Sequence, residues 1–244
     1  MTLPPLTPSA DTTWIRRISA DRERAGRNQT PEQRAITDEV MRRALDAGAV
    51  GFALTGSTAR RRRTPISDLD YHVIGDRPDV SDLSAEVDVV ATRPEHLRDR
   101  LLDGDDFVQW TVRLGCILYD AGSLFEASRL IASHSLWPDP QRKLDLAERL
   151  HAETLRLLRI GDREAAQEQL RAMLTTTARG LLLRAGVFPL ARDELASQLN
   201  GSGYAPLARA LSSTIYETPT LERLSRHLQT GVESFQTSKS PAPA

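Results

Sequence analysis

The chain has 244 residues and a formal net charge of -1, long enough for one large domain or two modest ones, each able to bury a core. The near-neutral balance argues against a surface built for indiscriminate binding to DNA or RNA, while leaving room for a local basic patch. Cys116 is the single cysteine, which excludes an intramolecular disulfide and a multi-cysteine metal site. No apolar run approaches the length of a membrane span. The start, Met-Thr-Leu-Pro-Pro-Leu, has neither the basic nor the apolar region of a signal peptide. The expectation is a cytoplasmic protein with no membrane partner.

Residues 1–29 are rich in Pro, Ser and Arg. Trp14, Ile15 and Ile18 can anchor a short helix there, or the segment can fray; no chemistry is assigned to it. Thr30-Pro31-Glu32-Gln33 predicts a helix start, with Thr30 as cap, proline at the first helical position and Gln33 closing a capping box. Ile36, Val40, Ala44 and Ala47 mark one face of that helix. An apolar strand over about 50–55 follows. It ends in Gly56-Ser57, where glycine lets the backbone come close to a ligand and the serine hydroxyl can donate to a phosphate.

Arg60 to Arg63 suit phosphate recognition. Four in a row cannot all face one ligand, so one or two are expected at a triphosphate or acceptor and the others in water. A second strand spans about 68–74. Side chains alternate along a strand, so Asp68 and Asp70 share a face. Two neighbouring carboxylates repel unless a cation lies between them, and Mg²⁺ suits one or two carboxylates together with phosphate oxygens. His72 shares their face; a hydrogen bond to a neighbour is the expected role. A third strand, about 85–91, carries Asp88, with Glu86 on the same face.

Thr92-Arg93-Pro94-Glu95 reads as another capped helix start, running to about Asp103. Residues 107–114 read as helix, 116–119 as strand with Cys116 buried and inert, and 123–133 as helix. Composition shifts at Leu136-Trp-Pro-Asp-Pro140, a domain boundary. Leu146, Leu150, Leu157 and Ile160 then make one helical stripe, and Ala166, Leu170, Met173, Leu174 and Leu181 the next. Gly161-Asp162 separates the two helices. Shorter helices are expected near 191–199, 205–215 and 219–234, packed antiparallel. A disordered tail is expected over 236–244.

Gly56-Ser57, a spacer, then Asp68-Leu69-Asp70, with Asp88 on a following strand, resembles the signature of the polymerase β-like nucleotidyltransferase superfamily, antibiotic or minimal type. The resemblance covers roughly residues 31–135. It departs from many members at Arg61 to Arg63, where they place a glycine. It implies Asp88 as the third metal carboxylate in preference to Glu86. With it, the chain reads as an α+β protein: a small mixed-sheet nucleotidyltransferase domain over 30–135, then an antiparallel helical bundle over 141–235. The active site would lie in the cleft between them.

The implied reaction moves a nucleoside monophosphate from a nucleoside triphosphate, such as ATP, to a hydroxyl acceptor and releases pyrophosphate. Two Mg²⁺ ions would be held by Asp68, Asp70 and Asp88, which are also the catalytic residues, and Gly56 and Ser57 would bind the nucleotide. A small-molecule acceptor, antibiotic-like or a metabolite, is the first reading. A toxin–antitoxin-type enzyme that modifies a protein or transfer RNA is the alternative, and a non-catalytic nucleotide-binding module is a third. Glu148, Glu153, Glu164 and Glu168 are candidates for a general base from the helical part, with nothing in the sequence to separate them. Arg129 and His134 are spaced like the active-site pair of helical ribonucleases. The preferred nucleotide and the oligomeric state, homodimer included, stay open.

Overall fold

The computed structural model describes residues 13–62, 68–83, 87–134, 137–216 and 221–239; the side chains of 13–16, 134, 193, 215–216, 221 and 235–239 are outside that description. The chain divides into two compact units, Met1–Pro138 and Asp139–Ala244.

The first unit is α+β. Its elements run α1 (Thr13–Asn28), α2 (Pro31–Asp46), β1 (Gly51–Leu54), α3 (Gly56–Ala59), β2 (Leu69–Ile74), β3 (Val87–Thr92), α4 (Pro94–Leu102), α5 (Asp106–Leu114), β4 (Cys116–Asp120) and α6 (Leu124–His134). The four strands lie in the order β3-β2-β1-β4. β1 is antiparallel to β2 and β4, while β2 and β3 are parallel, so the sheet is mixed.

Strand alternation sends alternate side chains to two different cores. Phe52, Leu54, Leu69, Tyr71, Val73 and Val89 pack with Val40 and Ala44 of α2. On the opposite face Ala53, Ile74 and Ile117 pack with residues of α4, α5 and α6, among them Leu97, Leu101, Val108, Val112 and Phe125. The sheet is thus the middle layer of three. Thr30 and Gln33 make the expected capping box at the start of α2. Further along α2, Thr37 shares a 2.7 Å hydrogen bond with the hydroxyl of Tyr71. Arg43 holds the connection between β2 and β3, bonding the Asp79 carbonyl at 2.9 Å and the Asp82 carboxylate.

The first helix is longer and more integral than its sequence indicates. β4 is an edge strand, and an uncovered edge presents unpaired backbone groups. α1 supplies the partners: Asp21 accepts from the Ile117 amide at 3.0 Å, Arg22 donates to the Leu118 carbonyl at 2.8 Å, and Arg24 donates to the Gly115 carbonyl at 2.6 Å. Ile18 packs on the core beneath α4–α6; the side chains of Trp14 and Ile15 lie outside the described residues.

Thr92 does not cap α4. It is the last residue of β3, and Arg93 takes the cap position without a side-chain cap bond. The Thr92 hydroxyl is instead buried against His72 and Arg100, a tertiary demand that overrides the local capping pattern.

The second unit is helical: α7 (Pro140–Ile160), α8 (Arg163–Arg184), α9 (Arg192–Gly201), α10 (Ala205–Tyr216) and α11 (Leu221–Lys239). Gly161, at φ +82°, ends α7 in the left-handed conformation, and Asp162 caps α8 by accepting from the Ala165 amide at 3.1 Å. α8 is the central helix. Leu170, Met173, Leu174, Ala178, Leu181 and Leu182 are fully buried in one core with residues of the other four helices. A Cβ on Gly231 would stand 2.6 Å from the Met173 methyl, so α11 approaches α8 through a missing side chain. α11 continues to Lys239, which makes residues 236–239 of the expected tail helical. Among the described residues no helix is long and apolar enough to cross a membrane.

Candidate active site

β1, β2 and β3 bring the sequence-predicted residues to one end of the sheet. β1 ends at Leu54, and Thr55 continues it in extended backbone, its amide donating to the Asp70 carbonyl at 2.8 Å. The chain then turns at Gly56, with φ +66°, into the single helical turn of α3. A Cβ at Gly56 would overlap the Asp70 carboxylate, standing 2.6 Å from its Cγ. Glycine is therefore required twice over: by the backbone angle, and by a carboxylate lying flat against the turn. Ser57 follows in the first turn, half-buried, its carbonyl accepting from the amides of Arg60 and Arg62 at 3.2 and 2.9 Å. Asn28 of α1 steadies α3 by donating to the Ala59 carbonyl at 2.9 Å.

Asp70 and Asp88 are direct register partners across the parallel β2–β3 pair. Partners on adjacent strands share a face, with backbones about 4.8 Å apart. Asp70 is half-buried and Asp88 exposed. The structure thus brings together Gly56, Asp70 and Asp88. Asp68 is exposed and precedes the first residue of β2, so the ladder does not fix it beside the other two. Among the described residues no group of three His, Cys, Asp or Glu side chains is assembled to hold a metal ion. Residues 63–67, which lead into Asp68, lie outside the description, as does Glu86.

The donor set nevertheless suits Mg²⁺. It consists of hard carboxylate oxygens, and this ion commonly takes one or two carboxylates, completing its shell with water and phosphate oxygens. Asp70 and Asp88 would hold it, with Asp68 joining from the loop end.

Further along the same face the chemistry changes. His72 is fully buried; Nε2 shares a 2.9 Å hydrogen bond with the Thr92 hydroxyl, and Phe107 and Phe125 stand edge-on to its ring at 4.9 and 5.5 Å. Burial, with the Arg100 cation adding to it and Asp105 opposing it, pushes its pKa down to about 3, so the ring is neutral. Its Nδ1 is buried with no hydrogen-bond partner. The hydrogen-bonding role expected of His72 is the one observed.

Arg129 is occupied. Its Nη2 donates to Asp21 at 2.6 Å and to the Gly115 carbonyl at 3.0 Å, and its Nε donates to the Val112 carbonyl at 3.1 Å. It ties α6 to α1 and to the end of α5, which removes it from the ribonuclease-like pair; the His134 side chain lies outside the description. Glu153 pairs with Arg156 at 2.6 Å and Glu168 with Arg171, each on its own helix, and Glu148 and Glu164 are exposed. No feature singles one of the four out as a base.

Sequence reasoning missed Trp110. The Arg60 guanidinium lies over its ring, 5.4 Å from the centroid. The partners are fifty positions apart, and only the periodicity of α5 hinted that Phe107 and Trp110 share a helix face.

No protein-family model matches the chain, and no curated protein matches its sequence. Among solved structures, it is similar to a nucleotidyltransferase-like protein from Exiguobacterium sibiricum at 18% identity and a TM-score of 0.43, covering 84% of this chain and 73% of that one.

Proposed function

We propose that the protein is a Mg²⁺-dependent nucleotidyltransferase that moves a nucleoside monophosphate from a nucleoside triphosphate to a hydroxyl of a small-molecule acceptor. One observation carries this reading: the in-register carboxylates of Asp70 and Asp88, with a glycine turn laid directly against Asp70. Two neighbouring carboxylates beside a glycine turn suit a cation bridging protein and phosphate. The carboxyl-lined face receives the triphosphate, and the Gly56–Ser57 turn offers it backbone N–H groups.

Bound Mg²⁺ would supply charge compensation at the phosphoryl oxygens and leaving group. The acceptor oxygen attacks the α-phosphorus in line, the bond to the bridging oxygen of pyrophosphate breaks, and that oxygen carries away the electron pair. Asp88, the more exposed carboxylate, accepts the hydroxyl proton at an oxygen atom. Asp70, held between Gly56 and β3, orients the phosphate side.

The test is incubation with each labelled nucleoside triphosphate and Mg²⁺, with cell extract split into small-molecule, protein and RNA fractions. Label in the small-molecule fraction supports the proposal. Label in protein or RNA moves the function to the macromolecule-modifying alternative. Absence of transfer together with intact nucleotide binding favours a non-catalytic module.

A further inference from the structure

Three of the four consecutive arginines after the Gly56–Ser57 turn are described, and their surroundings differ. Arg61 and Arg62 are exposed, and Arg61 occupies a positive φ of 57°. Arg60 is half-buried, with its guanidinium over the ring of Trp110. α5, which carries Trp110, is fixed to the face of the sheet that bears Asp70 and Asp88. Its Phe107 lies against His72, and its Val108 and Val112 are buried in the core with Ile74. α5 also stops at the site's end of the sheet, where a Cβ on Gly115 would stand 3.1 Å from the carbonyl of Leu54, the last residue of β1. Trp110 therefore stands on rigid structure, while Arg60 stands on the short loop that leaves the nucleotide turn.

We propose that Trp110 is a positioning residue: its ring holds the Arg60 guanidinium beside the Gly56–Ser57 turn, where Arg60 meets the triphosphate of the nucleotide. The inference rests on the nucleotide reading above and deepens it by selecting one arginine of the run and naming what orders it. An arginine side chain loses considerable rotamer freedom when it binds a phosphate. A ring that restrains it beforehand takes over part of that loss. The cation–π contact engages the flat face of the guanidinium, while the planar N–H fork is the part of arginine that matches phosphate oxygens. Lysine, a point charge without the flat plane, would not reproduce both contacts.

Calorimetric titration tests this with two probes in the presence of Mg²⁺: the α,β-methylene analogue of the best-bound nucleoside triphosphate, and the corresponding nucleoside. Trp110→Ala is expected to weaken binding of the triphosphate analogue roughly 3–10-fold, the range of an exposed to partly desolvated cation–π contact, and to leave nucleoside binding unchanged. Arg60→Gln should lose at least as much. The double variant should be no weaker than Arg60→Gln, because the ring acts only through the arginine. Trp110→Phe, which keeps a ring and guards against misfolding of the alanine variant, should retain most of the affinity, and Arg60→Lys should not. Additive losses in the double variant overturn the proposal. So does an equal loss for the nucleoside in Trp110→Ala, which would make the ring a base-stacking platform. A wild-type protein that binds none of the four nucleoside triphosphates overturns the nucleotide reading itself, a result distinct from either.

Discussion

Two polar pairs lie on one face of the same two strands and have opposite fates. Asp70 and Asp88, at the start of β2 and β3, are register partners, the first half-buried and the second exposed. His72 and Thr92, further along, are buried, hydrogen-bonded to each other and roofed by Phe107 and Phe125. Strand alternation is identical for both pairs, so the difference comes from what covers the sheet. Where α4–α6 supply apolar side chains, polar groups must be neutral and partnered, and His72 is held neutral by that burial. Where the covering stops, two carboxylates stand as register neighbours without full burial. The proposed site lies at the less covered end of this face.

The largest effect expected is at the open pair. Asp70→Asn and Asp88→Asn should each lower nucleotidyl transfer by on the order of 10³-fold, the scale of the charge stabilisation lost with a metal ligand. The fold should persist, since neither side chain is deeply buried. Parallel assays of transfer and thermal unfolding check this. A variant that unfolds would mean that the pair belongs with the buried set.

A closed polar set also exists at the open end, around Asp21, and it tests whether covering rather than position decides. Asp21 accepts from the Ile117 amide and pairs with Arg24 and Arg129, with its side chain 11% exposed and that of Arg129 18%. Asp21→Ala strands a largely buried cation and an edge-strand amide, so unfolding by denaturant should show a loss of about 3–5 kcal/mol. A loss below about 1 kcal/mol would show that α1 does not brace β4.

Gly56 sharpens the comparison from the backbone side. Gly56→Ala places a Cβ on the Asp70 carboxylate and imposes a left-handed angle that costs an alanine about 1–2 kcal/mol before any clash. The expected result is lower stability and displaced Asp70 together. Any larger residue at Gly56 would disturb the carboxylate in the same way, with or without nucleotide. Full stability in Gly56→Ala would refute the close packing of turn and carboxylate.

Local signals were legible and long-range ones were not. The capping box of α2 lies within four residues and formed as read. The shared face of β2 follows from alternation, but the pairing of Asp70 with Asp88 depends on register across a twelve-residue connection that has no local code. Gly56 was recognisable as a residue needing freedom, though the group demanding it, Asp70, was visible only in three dimensions. α1 was opaque for the same reason: Arg22 and Arg24 find their partners more than ninety positions away. Thr92 shows the converse error, a convincing local cap pattern overruled by a buried histidine and arginine.

The smallest effect is expected at the closed pair. His72→Leu removes one neutral hydrogen bond to Thr92, worth about 1 kcal/mol. It also removes a buried Nδ1 that has no partner, which offsets part of the loss. Thr92 keeps a partner in Arg100, whose Nη1 donates to its hydroxyl at 2.6 Å. Leucine lacks the flat ring that meets Phe107 and Phe125, so some repacking adds a cost of similar size. Stability should therefore fall by about 1–2 kcal/mol, and transfer at a temperature where the variant is folded should stay within about threefold of wild type, a barrier change of no more than about 0.65 kcal/mol. Steady-state assay beside thermal unfolding reads both quantities. A hundredfold loss of transfer in a stable His72→Leu protein would erase the boundary drawn here, making His72 part of the chemistry carried by Asp70 two residues away.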